Sequence, residues 1–108
     1  MNIASVELEQ MQEAAGQACK LMKVLANPDR LMILCQLSRG EMRVGDIETR
    51  LGIVQPTLSQ QLTVLREDGL VSTRREGKNI YYRVNSPQAL AVLEVLYQQF
   101  CQPIEDVG

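Results

Sequence analysis

Histidine is absent from this chain, although it is the side chain that most often acts as a general base or metal ligand near neutral pH. The three cysteines fall short of the about four nitrogen, sulfur or oxygen ligands that a zinc site needs. A thiol enzyme needs an activating base or cation beside its nucleophile, and no histidine is available for that role. The composition therefore argues against a metal site and against an enzyme, and we predict no cofactor.

Long apolar segments are also missing. The sequence has no run of eighteen apolar residues, so we predict no membrane span. Its N-terminus lacks the basic segment and the apolar stretch of a signal peptide. We therefore expect a cytoplasmic protein. The 108 residues, of which 45% are hydrophobic, predict a single globular domain over residues 1–108.

Basic residues are missing from both ends of the chain. Residues 1–19 and 84–108 each contain three acids and no lysine or arginine. All eleven basic residues lie within residues 20–83, where seven acids leave a local charge of +4 in a chain whose net charge is −2. This bias is compatible with a phosphate-binding surface, but an ordinary mixed surface has the same charge pattern.

Hydrophobic spacing and capping residues divide the chain into five helices and one β-hairpin. Asn27 and Ser86 are suited as N-caps of helices that begin with Pro28 and Pro87. Two β-rich segments flank a polar tip at residues 76–79, which predicts a hairpin. The predicted helices cover residues 5–26, 28–38, 44–51, 55–68 and 87–101, and the predicted strands cover residues 70–75 and 80–84.

The last predicted helix is apolar nearly all the way round. One face carries Leu90, Leu93, Leu96, Tyr97 and Phe100, and another carries Ala89, Val92 and Val95. A helix of this kind is buried on two sides, and so short a chain has little core with which to surround it. We therefore expect a homodimer, since symmetric two-fold dimers are the commonest oligomers.

Two short helices joined by a glycine turn, followed by a basic hairpin, form the centre of the chain. Ile47 and Leu51 are expected to bury the first helix, and Leu58 and Leu62 the second. The outer face of the second helix then carries side chains that suit base edges and phosphates in a major groove, namely Gln55, Thr57, Ser59, Gln60 and Gln61. The hairpin carries side chains that suit the DNA backbone or minor groove, namely Arg74, Arg75, Lys78 and Asn79. A polar helix face alone could simply be solvated, but this order of elements predicts binding to double-stranded DNA.

Several motifs give the chain a resemblance to the ArsR/SmtB family of repressors, from about residue 17 to residue 101. They are Pro28-Asp29-Arg30-Leu31, Val44-Gly45-Asp46-Ile47, Thr57-Leu58-Ser59-Gln60-Gln61-Leu62, Leu65-Arg66-Glu67-Asp68-Gly69-Leu70-Val71 and Tyr82-Arg83-Val84. The resemblance implies a mainly α fold with a β-hairpin wing: a winged helix-turn-helix of order α-α-α-α-β-β-α that dimerises through its first and last helices. It also implies that residues 55–61 lie in the major groove of an operator inverted repeat. Val54 departs from the pattern, because many relatives have a serine cap there.

The metal sites of that family are not matched by this sequence. Its thiolate site has cysteines at the positions of Arg43 and Gly45, and neither residue binds a soft metal. Its other common site uses histidine and carboxylates on the last helix, and the chain has no histidine. A metal-responsive repressor is therefore an alternative that the residues disfavour.

The three cysteines carry the remaining functional signal. They are expected to be reduced in the cytoplasm, and a small buried hydrophobe, the usual role of free cysteine, suits Cys19. The pair Cys35 and Cys101 resembles that of the persulfide- and redox-sensing branch of the family, whose two cysteines lie close enough to be linked. The resemblance implies a repressor that releases its operator when reactive sulfur species or oxidants link Cys35 to Cys101. A DNA-binding activator that antagonises a silencing protein remains a second alternative.

Overall fold

The computed structural model describes residues 7–101 and contains five helices and a three-stranded sheet. The helices are α1 (Leu8–Leu25), α2 (Pro28–Leu37), α3 (Val44–Leu51), α4 (Thr57–Glu67) and α5 (Pro87–Phe100). The strands are β1 (Met42–Arg43), β2 (Val71–Glu76) and β3 (Asn79–Val84). The predicted first helix starts at residue 5, but residues 5 and 6 lie outside the described part. Glu7 is extended, so the helix begins at Leu8.

The predicted caps of α2 and α5 are confirmed. The Asn27 side chain accepts a hydrogen bond from the Arg30 N–H at 3.1 Å. The Ser86 hydroxyl accepts one from the Ala89 N–H, also at 3.1 Å. Each cap satisfies one of the N–H groups that the first turn of a helix leaves unpaired, and the proline that follows has no N–H to satisfy.

Helix α4 begins two residues later than predicted. Gln55 precedes a proline, and the residue before proline disfavours the helical backbone region. The first helical residue is therefore Thr57, with Pro56 at the N-cap position. At the other end the Leu70 N–H bonds back to the Leu65 carbonyl, which ends the helix and displaces the start of β2 from residue 70 to Val71.

The sheet contains a strand that the sequence analysis missed. Its order is β1-β3-β2, and Met42 and Arg43 pair with Tyr82 and Tyr81 of β3. A strand of two residues is too short to reveal the alternation of apolar and polar side chains by which strands are predicted. The predicted hairpin itself is confirmed, with Glu76 opposite Asn79 across a turn in which Gly77 has φ of 63°. We call residues 71–84 the wing.

A single core lies between α2, α3, α4 and the sheet. Its largest fully buried side chains are Ile33, Leu34, Ile47, Leu58 and Leu65. The predicted inner positions Ile47, Leu58 and Leu62 are confirmed as buried, and Leu51 is half-buried against the core. Because leucines anchor one side of α4, the opposite side of this helix is directed to solvent.

The apolar surfaces of α1 and α5 are left largely uncovered in the protomer. Of the α5 side chains, Ala89 and Leu93 are buried, whereas Tyr97 and Phe100 are 54% and 80% exposed. Along α1 an exposed stripe follows helical spacing. We call this the α1 stripe: Leu8, Met11, Ala15, Ala18 and Met22. Within residues 7–101, no helix combines the length and apolar character needed to cross a membrane.

Candidate nucleic-acid interface and thiol pair

The outer face of α4 presents Ser59 and Gln60 to solvent, as predicted, while Thr57 is half-buried. Leu58 and Leu62 hold the inner face in the core. The Gln60 amide can donate and accept hydrogen bonds, and the Ser59 hydroxyl, which donates to Gln55, can still accept one. This arrangement has the chemistry that reading of base edges requires.

Gln55 lies just before α4, and its side chain caps this helix, a role that the sequence analysis did not predict for it. Its Oε1 accepts hydrogen bonds from the Ser59 N–H at 3.0 Å and from the Ser59 hydroxyl at 2.7 Å. It therefore satisfies an N–H of the first turn, in place of the serine cap that Val54 cannot supply. Gln55 remains exposed, but its amide oxygen is occupied within the chain.

The predicted position of Gln61 on the outer face is wrong. Its side chain is half-buried and turns back toward the amino-terminal helices, where Oε1 accepts a hydrogen bond from Arg30 Nη1 at 3.0 Å. On an α-helix, successive residues are 100° apart, so Gln61 lies 200° from Ser59 and faces α2.

Thr63 occupies the outer position that Gln61 does not. It is exposed one turn after Ser59, and its hydroxyl donates to the Ser59 carbonyl at 2.9 Å. Thr63 is absent from the predicted outer face, because that face was assigned from consecutive polar residues and not from the helical period. The four-residue spacing from Ser59 is the signal that would have identified it.

Arg75, Lys78 and Asn79 extend from the exposed part of the wing, whereas Arg74 is engaged within the chain. Arg74 Nε donates to Glu41 Oε1 at 2.8 Å, and Nη1 donates to Glu76 at 2.8 Å. The guanidinium lies 4.4 Å from the centroid of the Tyr81 ring. The hydrogen bond from Arg74 lowers the pKa of the Glu41 carboxyl, and the two carboxylates raise the pKa of Arg74.

These contacts make Arg74 less available to DNA than the sequence predicted. Two carboxylates neutralise its charge, and its planar fork stacks on a tyrosine, which is a geometry that lysine could not reproduce. Arg74 joins the wing to the loop before β1, and Arg75 and Lys78 supply the charge of the exposed hairpin. These ion pairs are exposed, so they contribute little to the free energy of unfolding.

The position at which the family's thiolate metal site begins holds Arg43, which forms an ion pair with Asp46 at 3.2 Å. The interaction raises the pKa of Arg43, chiefly through the hydrogen bond to Asp46. Within the described residues no group of three histidine, cysteine or acidic side chains is gathered in a way that could hold a metal ion.

All three cysteines are free and exposed in the protomer. The expectation that Cys19 is a buried hydrophobe is wrong for the protomer, because residues 8–20 of α1 are all exposed. Cys35 lies on α2, and Cys101 is the C-cap of α5. The pKa of Cys35 is raised by partial burial and by the charge of Cys101.

Residues 27–73 match the family described as bacterial regulatory proteins, arsR family. The chain is 48% identical over 107 residues to the biofilm growth-associated repressor of Agrobacterium fabrum, covering 99% of this chain and 92% of that protein. It is 40% identical over 99 residues to the transcriptional activator HlyU of Vibrio cholerae, covering 92% of each.

Among solved structures, the transcriptional repressor BigR of Xylella fastidiosa is similar to this chain with a TM-score of 0.82 and 46% identity. The match covers 91% of this chain and all of that one. These similarities confirm the predicted winged helix-turn-helix fold and the predicted ArsR/SmtB family, and they relate the chain to BigR and HlyU. The relatives are transcriptional regulators, which confirms the prediction of a regulator rather than an enzyme.

Proposed function

The chain belongs to the arsR family of bacterial regulatory proteins, and from this premise we propose that it is a dimeric DNA-binding repressor controlled by its thiols. In the reduced state the dimer binds an operator inverted repeat, and linkage of Cys35 to Cys101 releases it. The observation that carries this proposal is that α2 and the end of α5 each present a free, exposed thiol, and that the charge of Cys101 acts to raise the pKa of Cys35.

The proposed DNA surface consists of the outer face of α4 and the exposed wing. Ser59, Gln60 and Thr63 would meet base edges, while Arg75 and Lys78 would contact phosphates. Base-edge contacts carry sequence information, whereas phosphate contacts add affinity that depends on salt and little on sequence. Thr57 is half-buried and Gln55 is bonded to Ser59, so we assign both a supporting part at the start of α4.

The proposed dimer accounts for the exposed apolar faces of α1 and α5. A compact domain of this length has a radius of gyration of about 13 Å, whereas that of this protomer is 16.3 Å. An open groove of about 470 Å³ between α1 and α5 is lined by Ala18, Leu21 and Val92, among others. Contiguous apolar surface of this kind marks a protein interface, and a second copy with the same faces is the simplest cover.

The proposed chemistry begins at Cys101, because the raised pKa of Cys35 favours its protonated form. The Cys101 thiolate attacks a sulfane sulfur of a polysulfide, which forms a Cys101 persulfide and expels a polysulfide anion shorter by one sulfur. The Cys35 thiolate then attacks the Cys101 sulfur, and hydrosulfide leaves. Two thiols lose two electrons and two protons, and one sulfane sulfur becomes hydrogen sulfide. With a peroxide the intermediate is a sulfenic acid, and water leaves in the second step.

The link would join α2 of the core to α5 of the dimer interface and thereby change the spacing of the two α4 helices. A coupling free energy of about 1–3 kcal/mol corresponds to an operator affinity about 5- to 150-fold lower. Binding of two half-sites one helical turn apart is sensitive to this spacing, because both helices must enter the groove together.

The DNA surface is tested by two substitutions with different expected signatures. Gln60→Ala should reduce affinity for the operator by about 1–3 kcal/mol and leave binding to unrelated DNA unchanged, because a base contact is lost. Arg75→Ala should weaken binding to both DNAs. It should also lower the slope of log affinity against log salt concentration by about one, the value for one phosphate contact. Fluorescence anisotropy at several salt concentrations measures both. Parental operator affinity in both variants would remove α4 and the wing from the interface.

The raised pKa of Cys35 predicts slow alkylation of this thiol near neutral pH. Iodoacetamide reacts with the thiolate, whose fraction grows about tenfold per pH unit well below the pKa. We expect the rate of Cys35 alkylation, followed by mass spectrometry of quenched samples, to rise with pH and to level off only above the ordinary cysteine pKa of about 8.5. A rate that levels off below that pH would show that the Cys35 pKa is not raised.

A second candidate function is activation by displacement of a silencing protein from DNA. It is favoured by the similarity to HlyU of Vibrio cholerae, which is described as a transcriptional activator. Both functions use the same DNA surface, so the promoter decides between them. A reporter fused to the operator in cells without the gene should rise for a repressor and fall for an activator.

A further inference from the structure

One arginine connects three helices in this protein. Arg30 lies in the first turn of α2, and its Nε and Nη2 donate to the carbonyls of Val24 at 2.8 Å and Lys23 at 3.3 Å. Both carbonyls belong to the last turn of α1. Its Nη1 donates to Gln61 Oε1 of α4 at 3.0 Å. The guanidinium therefore bonds simultaneously to α1 and to the helix that carries Ser59 and Gln60.

The chemistry of these three acceptors suits an arginine at this position. The last carbonyls of a helix lack intrahelical partners and form the negative end of its dipole, so a cation is stabilised there. The rigid fork of arginine can bond these carbonyls and a third acceptor in one plane, which the point charge of lysine cannot do. The amide oxygen of Gln61 is a neutral acceptor for a charged donor, and such bonds are among the stronger ones in proteins.

The position of Arg30 places this connection on the same helix as a proposed sensing thiol. Cys35 follows Arg30 by five residues, and α2 is a ten-residue helix whose Ile33, Leu34 and Leu37 are buried. A short helix packed in this way moves as a rigid body, because close-packed cores do not deform continuously. A pull on Cys35 toward α5 therefore displaces Arg30 as well.

We propose that Arg30 and Gln61 are positioning residues that transmit the state of the thiol pair to α4. This inference rests on the proposed function, since it concerns how linkage of Cys35 to Cys101 lowers operator affinity. The Arg30–Gln61 bond makes α4 follow α2, so breaking it uncouples DNA binding from the thiols while leaving both sites intact. Gln61 acts through Arg30 and not through a base of the operator.

The readout is the ratio of operator affinities of the reduced protein and the polysulfide-treated protein. Gln61→Met preserves length and shape but removes the acceptor, and Gln61→Glu restores an acceptor for Arg30. Gln36→Met makes the same chemical change on α2, next to Cys35. Substitution of Arg30 itself is avoided, because Arg30 also holds the end of α1. Near-parental melting temperatures are required of all three variants before affinities are compared.

We expect the Gln61→Met ratio to fall toward one, by a factor of about ten or more, which is the factor that a hydrogen bond to a charged group contributes to an equilibrium constant. Gln61→Glu and Gln36→Met should keep the parental ratio, even if the added charge of Gln61→Glu weakens DNA binding in both states. A parental ratio in Gln61→Met would overturn this inference but not the proposed function. The same holds if the affinities of the reduced and the treated variant fall equally, because Gln61 would then contact DNA directly. A parent whose affinity does not change with polysulfide would overturn the proposed function and this inference together.

Discussion

Ala18→Glu is expected to abolish dimerisation and, with it, tight operator binding. Ala18 lies in the α1 stripe and lines the groove between α1 and α5, so a second protomer would bury it. An uncompensated charge in an interface costs about 3–5 kcal/mol, which raises the dimer dissociation constant by a factor of about 100 or more. Sedimentation equilibrium and operator binding on the same samples measure both effects.

The protomer itself should tolerate this change. Ala18 is exposed within one chain, and glutamate is a good helix former, so the helix content should be preserved. Gln10→Glu adds one negative charge to the same helix at an exposed position, about 80° or more around the axis from every residue of the α1 stripe, and should remain dimeric. A dimeric Ala18→Glu protein would move the interface away from the α1 stripe, and a monomeric Gln10→Glu protein would show a general charge effect instead.

Cys35→Ser and Cys101→Ser should each make the protein insensitive to polysulfide. Neither variant can close the link, so the expected 5- to 150-fold loss of operator affinity, about 1–3 kcal/mol, should disappear. DNA binding by the reduced variants should stay close to parental. Both cysteines are exposed, so a serine hydroxyl at either position reaches water and no buried polar group is left unsatisfied. Gel shifts before and after treatment provide the measurement.

Cys19→Ser is the matched control, because Cys19 is also an exposed thiol but lies outside the proposed pair. It should respond like the parent. Tryptic digestion of the treated parent should yield one cross-linked species that joins residues 31–39 to residues 84–108 of the same chain. A cross-link through Cys19, or one formed between subunits only, would contradict the mechanism but not the fold. Release of the operator by stoichiometric Zn²⁺ or arsenite would show instead that the cysteines act as metal ligands.

Much of the fold could be predicted because its signals are local. Asn27-Pro28 and Ser86-Pro87 encode helix starts through the side-chain acceptor and the missing N–H, and both caps are present. The left-handed conformation that ends α3 requires a residue such as Gly52, whose φ is 71°. Even the true start of α4 was encoded, in the proline that follows Gln55. Each of these features depends on a few neighbouring residues, so no knowledge of distant parts of the chain was needed.

The candidate site was only partly predictable, since side-chain roles depend on partners that are remote in sequence. Whether Arg74 meets DNA or an acid is decided by Glu41, which lies 33 residues earlier. Whether Gln61 faces outward is decided by Arg30, which lies 31 residues earlier. Likewise β1 exists because β3 supplies its hydrogen-bonding partner, not because its two residues favour a strand.

By itself, then, the sequence determined the order of the five helices and the hairpin, the inner face of α4 and the presence of two cysteines on different helices. Periodicity and capping are short-range consequences of backbone geometry, and a linear sequence records them directly. The tertiary structure alone decided which polar groups are occupied within the protein and which are left for a ligand. Hydrogen-bond donors and acceptors are satisfied by whatever packing brings within about 3 Å. On α4 that pairing leaves the Gln60 side chain exposed, together with the hydroxyls of Ser59 and Thr63, which donate within the chain but whose oxygens can still accept. It also leaves Cys35 and Cys101 free and exposed.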